Sequence, residues 1–278
     1  MAGPLLKDRV AIVTGGAKGL GRAMVLVLAE AGARVVAADK SIEDLQALSR
    51  IAEGEITTIA GDIRKPADCR LILNTALKEM GGLHILVNNA GLLPSYAYPN
   101  RFLKSERPKF WEVTDEIVQN VMDTNFVAHE RMTRAAVPHL RAQGWGRIIN
   151  VTTRLDTMNR AGGSPYGASK AALEMASEVW TKDLEGSGVT VNILNPGGAA
   201  DTDGFATHEE RELVRSQGRI QLMDPDRMRA PVVWLSSRAT DDITGMRYDA
   251  EFWDPKALPA EEAAKWGRPL GFVLKPQI

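Results

Sequence analysis

The sequence is short of several things, and each shortage excludes something. It carries one cysteine, Cys69, in 278 residues, so an intrachain disulfide and a multi-cysteine metal site are both ruled out. Its four histidines (His84, His129, His139, His208) are scattered, without HExxH-type spacing, and no metal is expected. Neither sign of charge predominates: 34 basic and 35 acidic residues leave a formal net charge of −1. That offers no general field for nucleic acid or an anionic membrane, and neither is expected as a partner. No segment approaches the ~20 apolar residues that span a bilayer. The opening "MAGPLLKDRVAIVTGG" lacks a long apolar run and a small-residue cleavage site, so the expected location is the cytoplasm.

What is present is ordinary in bulk and ordered in detail. Hydrophobic residues make up 44% and charged residues 25%, as in globular proteins generally. Short apolar runs alternate with longer helical patterns. "VAIVT" (10–14), "RVVAAD" (34–39), "EITTIA" (55–60), "HILVN" (84–88), "RIINVT" (147–152) and "VTVNILN" (189–195) read as strands. The segments between them read as helices, among them one from about Thr114 to Ala142 and one opening at Ser41 as N-cap. Continuous apolar strands separated by helices predict a doubly wound α/β fold, a parallel sheet flanked by helices. No composition break divides the chain, so residues 1–278 are expected to form a single domain.

"TGGAKGLG" (14–21) stands where the first strand turns into the first helix. In that position Gly15 permits the tight turn, and Gly19 and Gly21 allow close approach of a pyrophosphate and of helix to sheet. The helix N-terminus would then face the phosphates. A ligand-free turn is the plainer alternative. Asp39 ends the second strand, 18 residues after Gly21, where a carboxylate can accept from an adenosine ribose. Further on, "SPYGASKAAL" sets Tyr166 and Lys170 one helical turn apart. An ammonium beside a phenol favours the phenolate, and such a tyrosine can act in proton transfer. Taken alone, the pair could equally be a contact on a solvated helix face.

In this order and spacing, the motifs TGxxxGxG (14–21), "GDI" (61–63), "NNAG" (88–91), Asn125 in "MDTN", "GRIINVTT", YxxxK (166–170), "NPGG" (195–198) and "ITG" (243–245) resemble the short-chain dehydrogenase/reductase family, in its compact single-domain branch. The resemblance runs from about Leu6 to Gly245. It implies a Rossmann-like NAD(P)-binding domain that moves a hydride between a nicotinamide cofactor and an alcohol or ketone. Tyr166 would exchange the proton, Lys170 would tune it and hold the nicotinamide ribose, and Asn125 would anchor a water relay. The cofactor would lie against Gly15, Lys18, Gly19, Leu20, Gly21, Asp39, Asp62, Ile63, Asn89, Ala90, Gly91, Tyr166, Lys170, Pro196, Gly197 and Thr202. A sensor that binds NAD(H) without turnover, and a sugar epimerase or dehydratase of the longer related branch, are the alternatives.

Two departures from the family pattern matter. The usual serine thirteen residues before the tyrosine is replaced by Thr153, which keeps the hydroxyl with a stiffer χ1. Thr152 is the neighbouring candidate, and since successive strand side chains face opposite sides, only one of the two should meet the substrate. The usual terminal Gly-Gly is absent after "YDA" (248–250), and an extension over 251–278 follows. An insertion near 92–113 and a lid near 198–222 are expected on the substrate side. Arg154, just after Thr153, could hold a carboxylate or phosphate, or could simply pair with Asp156. NAD is expected over NADP because Asp39 would repel a 2′-phosphate; Lys18 and Lys40 pull the other way, which keeps NADP as the alternative. A homo-oligomer, a tetramer, is expected from the resemblance and from apolar residues on the fourth helix and in "APVVWLSS" (230–237).

Overall fold

The computed structural model of the protein describes residues 5–99, 109–202, 207–217 and 222–272. The chain runs β1 (Val10–Thr14), α1 (Gly19–Glu30), β2 (Arg34–Asp39), α2 (Ile42–Ile51), β3 (Ile56–Ala60), α3 (Pro66–Asn74), β4 (Ile85–Asn88) and the single turn α4 (Pro94–Ala97). It continues with α5 (Asp115–Met122), α6 (Ala128–Ala142), β5 (Gly146–Asn150), α7 (Leu155–Met158), α8 (Tyr166–Asp183) and β6 (Val189–Asn195). The last elements are α9 (His208–Gln217), α10 (Arg229–Leu235), β7 (Met246–Asp249), α11 (Pro259–Trp266) and β8 (Arg268–Pro269). They form one sheet in the order β3-β2-β1-β4-β5-β6-β7-β8. All neighbours are parallel except the last pair, β7 and β8.

Each central strand is buried along its whole length, as expected when helices cover both faces. One side is packed by α1 and α10 through Met24, Val25, Leu28, Val232 and Leu235. The other is packed by α3 and α6 through Ile72, Met132, Ala136 and Leu140. The strand order reverses between β1 and β4; ligands of such sheets bind outside the carboxyl ends of the strands at that switch point. The glycine loop and the segments after β4 and β5 gather there.

Two sequence-based boundaries and one packing expectation are corrected. The long fourth helix is interrupted by a π-helical turn, Asp123–Val127, between α5 and α6. β5 ends at Asn150 rather than 152, because Thr152 and Thr153 turn away to other partners. The "APVVWLSS" stretch faces the chain's own core, with Val232 and Leu235 fully or almost fully buried, so it lends no support to an oligomer contact. Of the expected insertion, lid and extension, residues 100–108, 203–206, 218–221 and 273–278 lie outside the described residues.

Candidate active site

Gly15 and Gly21 of the loop have no room for a side chain. Gly15 has φ +63°, and a Cβ on it would come within 2.7 Å of the Ala90 Cα. A Cβ on Gly21 would stand 1.9 Å from the Gly15 carbonyl oxygen. Gly19, at φ +54°, faces the Thr202 side chain, 3.1 Å from where its Cβ would be. The loop delivers the chain into α1, whose first turn holds no acid and whose N-cap residue, Lys18, makes no side-chain cap. Bare backbone before an uncapped helix start suits a phosphate anion. Leu20 lies in this first turn, partly buried against the core.

Asp39 leaves β2 beside this loop. Its carboxylate accepts from the Ala17 N–H at 3.3 Å and the Ser41 N–H at 3.1 Å. Lys18 pairs with Asp44 of α2 at 2.8 Å, so an acid of this chain already answers its charge. Just past the end of β3, Asp62 is gripped by Arg64 at 2.6 Å; that hydrogen-bonded guanidinium holds the carboxyl below its usual range. The Ile63 carbonyl accepts from the Cys69 thiol at 3.0 Å. The bare loop and uncapped helix start suit the phosphates of a nucleotide, and the Asp39 carboxylate beside them suits a ribose hydroxyl.

β4 brings in the second group. The Asn89 amide donates to the carbonyls of Thr14 (3.0 Å) and Gly15 (2.9 Å), tying β4 to the glycine loop. The Thr14 hydroxyl accepts from the backbone N–H groups of Asn89 and Ala90. A Cβ at Gly91 would lie 3.3 Å from Asn125 Oδ1 and 3.6 Å from Lys170 Nζ, so these two side chains converge on that glycine. Asn125 sits in the π-helical turn, fully buried. Its Oδ1 accepts from the Leu92 N–H at 2.7 Å, and its Nδ2 donates to the Leu92 carbonyl and to Ser169 Oγ. The carboxamide thus clamps the segment after "NNAG" to α8.

Tyr166 is the first residue of α8, 7% exposed, with Lys170 one turn later at 3%. Lys170 Nζ donates to the Val151 carbonyl at 2.8 Å. Burial pulls its pKa down to about 8. The hydroxyl of Thr152 donates to Glu174 Oε2 at 3.4 Å, whereas Thr153, the next residue, is 9% exposed. Arg154 is half-exposed, its donors directed to Asp156 (3.1 Å), the Gly197 carbonyl (3.2 Å) and Glu251 (3.7 Å). Gly197, at φ +83°, allows Glu251 to pack against it, and the Pro196 carbonyl accepts from the Glu251 N–H. Tyr98, from the described start of the insertion, donates to the Ser164 carbonyl just before Tyr166.

Sequence reasoning missed the residues that brace this site from behind. His129 Nε2 lies 2.7 Å from the Ala90 carbonyl oxygen. Asn88 donates to Thr133 and Asn150, and Asn150 to Ser177. The repeated asparagines at strand ends were the available signal, but their partners lie 27 to 62 residues away in sequence.

A family model described as short chain dehydrogenase matches residues 9–213. The chain belongs to the short chain dehydrogenase family. This short chain dehydrogenase is 33% identical over 260 residues to "NADPH-dependent aldehyde reductase 2, chloroplastic" of Arabidopsis thaliana, covering 86% of this chain and 91% of that one. It is 28% identical over 242 residues to L-fucose dehydrogenase of Bos taurus, covering 84% of each. Among solved structures it resembles 3-ketoacyl-(acyl-carrier-protein) reductase from Brucella melitensis complexed with NADH, with TM-score 0.74, 26% identity, and 88% and 97% of the two chains covered. No helix of the described residues in this dehydrogenase is long and apolar enough to cross a membrane.

Proposed function

We propose that the protein transfers a hydride between a nicotinamide cofactor and an alcohol or ketone, with Tyr166 as the proton donor and acceptor. The observation that carries this reading is the buried Lys170, one turn behind Tyr166 and beside Asn125 at Gly91. A bound nicotinamide nucleotide supplies or accepts the hydride. Gly15, Gly19, Gly21, Asn89 and Thr202 would hold its phosphates and ribose, and Asp39 its adenosine hydroxyls. Thr153 would donate a hydrogen bond to the substrate oxygen as negative charge develops there. Tyr166 Oη gives that oxygen its proton in reduction and removes it in oxidation. The Lys170 ammonium stabilises negative charge on the tyrosine oxygen. Asp156 and Glu251 around Arg154 balance its charge, which favours an uncharged substrate over a carboxylate or phosphate.

The test is a panel of sugars, other alcohols and ketones, followed by absorbance of the reduced nicotinamide. Tyr166→Phe should retain fold and nucleotide binding and lose on the order of 10²–10⁴ in rate. Near-normal turnover by that variant would reject the assignment.

NAD is the proposed cofactor. Asp39 is held by two backbone N–H groups, and a 2′-phosphate would meet it anion against anion. Lys18, the residue best placed to favour NADP, is drawn to Asp44. Wild type should show the higher kcat/KM with NAD, and Asp39→Ala should lose that preference mainly by gaining with NADP. A tenfold preference corresponds to about 1.4 kcal/mol. Wild-type preference for NADP would overturn this reading.

A further inference from the structure

Three consecutive residues follow β5, and each is held from below. Val151 gives its carbonyl to Lys170, Thr152 its hydroxyl to Glu174, and Thr153 its carbonyl to Arg247 Nη2 at 3.0 Å. Lys170 and Glu174 belong to α8, and Arg247 to β7. Arg247 and Glu174 are 2% and 0% exposed, with guanidinium and carboxylate 3.1 Å apart. Asp249, also buried, lies 3.7 Å from Arg247 Nη2 and accepts from Arg268 with its other oxygen.

Arg268 belongs to the extension that replaces the family's usual ending. The extension folds back as β8, which sets Arg268 beside Arg247 and Pro269 beside Met246. It then passes α8. The Leu270 N–H bonds the Gly245 carbonyl. Burial pushes the Glu174 carboxyl above its usual range, while Arg247, Thr152 and the Gly271 N–H pull against that rise. A Cβ at Gly271 would stand only 1.8 Å from Glu178 Oε2. The extension therefore completes a buried network that ends on the backbone of Thr153.

Buried ion pairs are weak devices for stability, since desolvation offsets most of their attraction. They are strong devices for geometry, and an arginine fork can fix two acceptors at once where a lysine cannot. We propose that Arg247 is a positioning residue for Thr153, and that the C-terminal extension, through Arg268 and Asp249, holds Arg247 in place. The inference rests on the reading of Thr153 as the hydroxyl that meets the substrate oxygen.

Two measurements on the full-length protein test it. The first needs no turnover. In Arg268→Ala, whose side chain is 54% exposed in the wild type, and more so in Arg247→Lys, amide hydrogen exchange over residues 151–155 should accelerate severalfold. Peptides covering the glycine loop should be unchanged. Wild-type exchange at 151–155 in both variants overturns the proposal. The second uses a substrate that the panel identifies. Arg268→Ala should lower kcat about tenfold or more, as small misplacements of a site do, with cofactor Kd unchanged and with rescue in Arg268→Lys. In a Thr153→Val background the same change should have no further effect; losses that multiply overturn the proposal. Normal turnover by Tyr166→Phe would instead condemn the catalytic reading, and the exchange measurement would still decide whether the extension holds the loop.

Discussion

His129 shows how much one buried side chain can settle without touching a ligand. Its ring is wholly enclosed, with Nε2 against the Ala90 carbonyl and Nδ1 without a hydrogen-bond partner. Burial first, and the Lys170 charge second, push its pKa down to about 3. The unfolded imidazole takes a proton below about 6.5, whereas the folded one stays neutral until about pH 3. Between those values the unfolded state binds more protons, so stability falls as pH falls through the window. The contribution is complete above about 6.5, and its slope is at most about 1.4 kcal/mol per pH unit. Urea unfolding of wild type and His129→Gln between pH 4 and 7 should give a shallower dependence for the variant, whose amide still donates to Ala90. Equal slopes would show that other groups govern the acid limb. Asn125 carries a similar lesson: its type and position were legible in sequence, but its three bonds to Leu92 and Ser169 were not.

At the scale of elements, the glycine loop is the most demanding piece. Gly21 needs its missing side chain for a reason different from that of Gly15. It has no left-handed φ, yet a Cβ there would run into the Gly15 carbonyl. Gly21→Ala should therefore cost about 1–3 kcal/mol or more by overpacking and weaken nucleotide binding as α1 is pushed off the loop. Thermal unfolding and fluorescence titration with NADH check both effects. A contrasting case is Gly144, which has φ +65° and nothing near its absent Cβ. Alanine there should cost about 1–2 kcal/mol from backbone strain alone and leave nucleotide affinity untouched. The π-helical turn between α5 and α6 is the second demanding element. It widens the helix at Asn125, and a 3.6-residue apolar period carries no mark of it.

For the molecule as a whole, the described part of the extension, residues 251–272, belongs to the body rather than hanging from it as an appendage. Trp253 is 1% exposed and packs against Trp234 and Tyr248, at ring separations of 5.4 and 6.1 Å. The apolar residues that the sequence offers for a subunit contact are spent on the chain's own interior: Val232 and Leu235 of α10 on this core, and Met132, Ala136 and Leu140 of α6 on the core of the opposite sheet face. A tetramer is still the expected assembly on family grounds. Val118 and Val179 on α5 and α8, and Phe110 and Trp111 ahead of α5, are among the large apolar side chains left exposed. Light scattering should give a mass about four times the chain's 30.3 kDa; a monomer at working concentration would reject it.

The sequence by itself determined the elements whose cause is local. Apolar runs marked the six strands from β1 to β6, Ser41 capped α2 through the Asp44 N–H as its residue type suggests, and the glycine loop stood where strand meets helix. The spacing of Tyr166 and Lys170 was likewise set by one helical turn. Tertiary structure alone decided what depends on residues far apart in the chain. It brought Asn125 and Lys170 to Gly91, turned Thr152 to Glu174, and joined Arg268 through Asp249 and Arg247 to Thr153. A two-residue edge strand such as β8 has no periodicity to read. A buried charge is tolerated only where its partners meet it in space, and Glu174 and Arg247 meet each other, and Arg247 the Thr153 carbonyl, only once distant parts of the chain have folded together.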